Sequence, residues 1–149
     1  MNGTTAAALA VEQTIRIRAP RERVFSLLTD VAEIPRWLPV VALEPRVGGR
    51  FELIKGDWHA EGEVTQFEPP RAIAYTWDWR KQPLGARTEV RFELEEDDDG
   101  TVVRLSHRGF REEGQQASHA HGWSYYGDRL RTVAEGGDPG PDRMGEDDR

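Results

Sequence analysis

The sequence predicts an α+β domain in which a curved antiparallel sheet is closed by one long C-terminal helix. Three observations carry this. In residues 71–80, Ile73, Tyr75, Trp77 and Trp79 alternate with Ala72, Ala74, Thr76 and Asp78. In residues 88–94, Val90, Phe92 and Leu94 alternate with Glu89, Arg91 and Glu93. A period of two is the pattern of a half-buried strand. The segment HAHGWSYYGDRLRTVAEG, residues 119–136, instead places Trp123, Leu130 and Val133 on one face at helical spacing, with Tyr126, Gly127 and Ala134 beside them. A lone long helix after a run of strands buries its apolar face by lying across the sheet.

The remaining elements follow in chain order. Val11, Gln13, Ile15 and Ile17 alternate with Glu12, Thr14 and Arg16, which gives a first strand. Pro20 ends it and suits the first position of a helix, whose apolar stripe is Val24, Phe25, Leu27 and Leu28. Asp30 followed by Glu33 resembles a capping box and opens a second short helix, interrupted at Pro35 and ended at Pro39. Gly48–Gly49 marks a turn requiring positive φ. Phe51 and Leu53 open the next strand, and Trp58 to Phe67 form another, terminated by Pro69–Pro70. After residues 71–80 and 88–94, Asp99–Gly100 signals a hairpin, and Val103, Leu105 and His107 share a face of the last strand. The expected order is strand, two short helices, about five strands, long helix.

The chain has 149 residues, which fits one domain. The folded unit is expected over residues 11–135. Residues 1–10 lack periodicity, and 136–149, GGDPGPDRMGEDDR, carry a single apolar side chain, so both ends read as disordered tails. There is no cysteine, which removes disulfide and thiolate chemistry. No run of 18 apolar residues exists, so no membrane span is expected, and the N-terminus makes a poor signal peptide. A cytoplasmic location is the expectation. The net charge of −7 argues against nucleic acid as a partner.

Few residues suggest chemistry. Tyr75, Trp77, Trp79, Phe92, Trp123 and Tyr126 project toward the space between sheet and helix, either as plain core or as the lining of a pocket. His107 lies on the inward face, where a polar ring needs a partner; it is either a satisfied core histidine or an orienting group for a ligand. His119 and His121 do not share a helical face, and no carboxylate or cysteine joins them at ligand spacing, so no metal is assigned. His59, Glu61 and Glu63 share a solvent face. No serine sits in a nucleophile elbow, and Gly48–Gly49 lacks the pattern of a phosphate loop.

Five stretches in this order resemble one superfamily: APRERVFSLLTD with RWLP, VGGRFEL, GEVTQFEPPRAIAYTWDW, TEVRFELEEDDDGTVVRLSHRGF and HGWSYYGDRL, covering nearly all of residues 13–131. They are similar to the helix-grip fold of the START-like, or SRPBCC, superfamily, and to its bacterial branch of heat-shock-protein ATPase activator homologues. The resemblance implies an apolar cavity between the sheet and the gripped helix, and no shared catalytic residues. It makes Trp77, Trp79, Phe92, His107, Trp123 and Tyr126 the expected ligand-binding residues. The first expectation is therefore a binding protein for a hydrophobic or aromatic small molecule, with no cofactor. A homodimer is compatible with it. An aromatase/cyclase or hydrolase acting in the same cavity is the alternative, with His107 the one inward group of useful pKa. A chaperone-cofactor role is a third, by analogy alone.

Overall fold

The computed structural model of the protein describes residues 9–145. Strand β1 (Leu9–Ile17) leads into helix α1 (Arg21–Thr29) and a 3₁₀ turn (Ile34–Arg36). Six strands follow: β2 (Val40–Leu43), β3 (Arg50–Lys55), β4 (Trp58–Glu68), β5 (Ala72–Trp79), β6 (Thr88–Asp97) and β7 (Gly100–Phe110). Helix α2 (Glu113–Ala134) ends the series. The strands form one sheet in the order β1-β7-β6-β5-β4-β3-β2, every pairing antiparallel. Among these pairings β1–β7 joins distant parts of the chain; the rest is a meander, with two-residue turns between β3 and β4 and between β6 and β7.

The alternation read from the sequence decides which side is buried. Val90, Phe92 and Leu94 of β6 are buried, as are Val103, Leu105 and His107 of β7. Tyr75 and Trp77 of β5 share that face. Helix α2 lies on it with Trp123, Tyr126, Leu130 and Val133 inward. Gly127 makes the close approach to β1 possible: a Cβ there would sit 3.1 Å from the Ile15 Cδ1. Gly48 adopts φ +84°, the left-handed turn conformation that the Gly48–Gly49 pair led us to expect.

Four details depart from the sequence reading. Strand β2 was not expected; it is four residues long between Pro39 and Pro45, too short to show a period. Helix α2 begins at Glu113 rather than near His119, because its first turns are polar and show no apolar stripe. Pro20 is the N-cap of α1, one residue before the helix. The Asp30–Glu33 pair is not a capping box. Asp30 Oδ1 accepts from the Ala32 N–H at 2.9 Å, while Glu33 pairs with Arg23 and Arg36, each at 3.0 Å.

The stretch after α2 also has structure where a free tail was expected. Glycines and prolines give residues 137–145 no helix or strand, but polar contacts hold them. Arg129 Nη1 donates to the Gly140 carbonyl at 2.9 Å, Tyr126 Oη donates to Asp142 Oδ2 at 2.7 Å, and the Arg143 N–H donates to Tyr125 Oη at 2.7 Å. Met144 packs on the core. Residues 1–8 and 146–149, the outer parts of the two expected tails, lie outside the described residues. Among the described residues no helix is long and apolar enough to cross a membrane.

Candidate functional site

The space between β5, β7 and α2 is organised around Trp77, which is 5% exposed. Its ring centroid lies 5.4 Å from those of Phe51 and Trp79 and 5.5 Å from those of His107 and Trp123. Phe92 meets Trp123 edge-on at 6.0 Å and Trp37 edge-on at 6.3 Å. Pairs at these spacings and angles suit the ring quadrupoles and add to the burial of area. Five of the six expected residues, Trp77, Phe92, His107, Trp123 and Tyr126, are buried in this layer. Trp79 is half-buried at its rim, edge-on to the exposed Trp58 at 5.5 Å.

His107 is fully buried, and both ring nitrogens have protein partners. Trp123 Nε1–H can only donate, and it donates to His107 Nδ1 at 3.0 Å. Nε2 must then carry the ring proton, which it donates to Thr88 Oγ1 at 2.9 Å. The Thr88 hydroxyl in turn donates to the Trp77 carbonyl at 2.6 Å. One relay thus ties α2 to β7, β6 and β5. Its geometry is that of the satisfied core histidine, the first of the two roles the sequence allowed. His107 orients Trp123 and has no free nitrogen for a ligand.

A second histidine has the matching arrangement, and the sequence reading assigned it no role. Trp79 Nε1 donates to His119 Nε2 at 2.9 Å, and His119 Nδ1 donates to the Gln115 carbonyl at 2.7 Å. The His119 ring stands edge-on to His107 at 5.2 Å. A signal was present, since His119, Trp123, Tyr126 and Leu130 recur at helical spacing. The helix start placed at His119 hid it. Burial pushes the His107 pKa down to about 2, with His119 a smaller cause. Burial also lowers that of His119, against its bond to the Gln115 carbonyl. Both rings are neutral, and every ring nitrogen is committed, so neither can take a proton from a substrate in this arrangement.

Two buried polar atoms in this region have no partner among the described residues: Trp77 Nε1 and Gln115 Oε1. Gln115 is on the first turns of α2, and its amide nitrogen reaches the Leu84 carbonyl at 3.4 Å. A buried donor left unpaired costs about 1–3 kcal/mol, and such atoms are rare enough to need a reason.

Two strands beyond β5, the C-terminal stretch reaches Lys55, at the end of β3. Lys55 Nζ donates to the Asp142 carbonyl at 2.9 Å and lies 3.4 Å from Asp142 Oδ1. Burial first, then the bond to Asp142, raise the pKa of Tyr126, so its hydroxyl remains a donor.

Two concavities, of 590 and 270 Å³, open on the outer face of the sheet rather than between sheet and helix. The larger is lined by Arg50, Glu52, Glu61, Glu63, Thr76 and Arg80. Here Glu52 pairs with Arg50 and accepts from His59 Nε2 at 2.6 Å, so His59 is not the plain surface histidine expected. Arg50, then His59, hold the Glu52 carboxyl below its ordinary range. Glu52, His59 and Glu61 bring ligand-type atoms within 4.8 Å of one another. Arg80 takes Glu61 at 3.1 Å, so both carboxylates are already neutralised by arginine. The patch is a network of charges, not an apolar ligand site.

The sequence matches the family described as Activator of Hsp90 ATPase homolog 1-like protein over residues 18–135. Solved structures agree. The protein MLL2253 from Mesorhizobium loti is 26% identical with a TM-score of 0.76, covering 84% of this chain and 96% of that one. CalU16 from Micromonospora echinospora is 31% identical with a TM-score of 0.67, covering 83% of this chain and 73% of its own. The solution structure of the Aha1 dimer from Colwellia psychrerythraea is 21% identical with a TM-score of 0.75, covering 87% and 98%. No curated protein matches the sequence.

Proposed function

The chain belongs to the Activator of Hsp90 ATPase homolog 1-like family, and from that membership we propose that it binds a hydrophobic or aromatic small molecule between its sheet and α2. The observation that carries the reading is Trp77 Nε1–H, buried in the middle of an aromatic layer without an acceptor among the described residues. An acceptor on an aromatic ligand, such as a carbonyl, relieves that cost while its rings take the place of side-chain contacts. Trp77, Trp79, Phe92, Trp123 and Tyr126 line the space, and His107 fixes the angle of Trp123. The rings pack against one another with centroids 5.4 to 6.0 Å apart, so a ligand that enters among them displaces some of them. The commitment of both histidines favours binding over acid–base catalysis.

A neutral naphthyl ketone fluorophore tests this against its hydrocarbon analogue. The wild type is expected to bind both saturably and to prefer the ketone. Trp77→Phe keeps a ring but removes the donor, so the preference should shrink by up to about tenfold, the weight of one neutral hydrogen bond. No saturable binding of either compound overturns the reading. An undiminished ketone preference in Trp77→Phe removes Trp77 as the contact.

A further inference from the structure

The C-terminal stretch supplies an observation about the same space that does not depend on Trp77. Asp142 carries a carboxylate held at both oxygens: Tyr126 Oη donates to Oδ2 at 2.7 Å, and Lys55 Nζ lies 3.4 Å from Oδ1. These two partners come from opposite walls, α2 and β3. Next to them Arg129 is 8% exposed, and carbonyls are its hydrogen-bond acceptors. Its Nε donates to Trp37 O at 3.1 Å, Nη2 to Arg36 O at 3.5 Å, and Nη1 to Pro139 O at 3.4 Å and Gly140 O at 2.9 Å. No carboxylate forms an ion pair with Arg129 among the described residues. A buried guanidinium without a counter-charge is costly. The mouth of the layer therefore carries two cations and a phenol donor, and the carboxylate that Lys55 and Tyr126 hold is brought by the tail. Two residues on, Met144 packs against the core.

We infer that Lys55, Tyr126 and Arg129 form a carboxylate-recognition site at the mouth of the sheet–helix space, that its ligand is an amphipathic organic acid, and that residues 138–144 occupy the site as an internal stand-in for that acid. The inference rests on the small-molecule reading above and adds a ligand class to it. A carboxylate with an apolar group close by is what Asp142 and Met144 present together. An organic acid presents the same pair in one molecule, with its chain directed to the aromatic layer. The tail is suited to leaving. Its sequence, GGDPGPDRM, forms no helix or strand and has one large apolar side chain, and such segments open at low free-energy cost. When it leaves, Lys55 and Tyr126 lose their carboxylate, and Arg129 loses two of its four carbonyls. All three then favour an incoming anion.

The test uses the full-length protein with dodecanoate and dodecan-1-ol, which share a chain and differ in the head group. Asp142→Asn keeps the size of the tail residue and removes its charge. It is expected to strengthen dodecanoate binding about ten- to hundredfold, the weight of one charge-assisted hydrogen bond, and to leave the alcohol unchanged. Adding Lys55→Met should cancel the gain for the acid alone. The inference is overturned if the alcohol binds and Asp142→Asn leaves the acid no tighter, or if Lys55→Met in that background retains the gain. The broader binding reading survives both results. Failure of acid and alcohol alike to bind any variant sinks the two readings together.

Discussion

Trp123→Ala is expected to lower the thermal midpoint by roughly 6–20 °C, from a loss of about 3–5 kcal/mol at about 2–4 °C per kcal/mol for a chain of this size. Two losses combine. Removing a buried indole leaves a void bounded by Trp77, Phe92 and His107, whose rings now lie within 6.2 Å of Trp123. It also leaves His107 Nδ1 buried without its donor. An orphaned acceptor alone costs about 1–3 kcal/mol. A domain of this kind holds about 5–15 kcal/mol in all, so the variant sits near the edge of folding. Trp123→Phe separates the two effects. It refills much of the void but still removes the N–H, and should recover more than half of the loss. Differential scanning calorimetry reads both. A midpoint for Trp123→Ala within error of wild type would mean that neither the ring contacts nor the indole–imidazole bond supports the fold.

The relay explains how far the sequence could be read. Period-two alternation placed Trp77, Phe92 and His107 on the inner face because each strand contributes a whole row of side chains to one side. The 3.6-residue stripe placed Trp123 and Tyr126 opposite them. What those patterns do not encode is which polar atoms meet. Thr88 begins the Thr88, Val90, Phe92, Leu94 row and is as buried as its neighbours. A threonine reads as solvent-facing, yet its hydroxyl is what closes the bond from His107. Arg129 is a charged side chain next to the Trp123, Leu130 and Val133 stripe, yet it is buried, because carbonyls at the ends of two loops draw it in. The tail lacks periodicity, and its partners Lys55, Tyr126 and Arg129 lie 10 to 87 residues away in the chain. Side-chain to main-chain bonds of that range leave no local signature. The network of Arg50, Glu52, His59 and Arg80 was hidden for a related reason, since strands β3, β4 and β5 contribute to it or border it and register alone brings them together.

Lowering the pH from 7.5 to 4.5 is expected to remove about 2.7 kcal/mol of stability through His107 alone, beginning well above the carboxylate range. In the unfolded chain the ring titrates near its ordinary value of 6.5, whereas burial holds it neutral in the fold down to about 2. Between these values the unfolded state binds a proton that the native state does not. Stability is therefore complete above pH 6.5 and falls as the pH drops below it, by about 1.4 kcal/mol per pH unit for each such histidine. His119 is shifted in the same direction and steepens the slope. Glu33 and Glu52 have lowered values, so their contribution is present above 4.5 and is lost below it. The window from 6.5 to 4.5 thus isolates the two histidines. Urea denaturation at half-unit steps across it should show the slope, and His107→Gln should reduce it to the part that His119 supplies. A flat stability between pH 7.5 and 4.5 would mean that the rings take up protons in the folded state. That outcome requires water or an anion at His107 Nδ1 or His119 Nε2, and the indole donors of Trp123 and Trp79 now hold both positions.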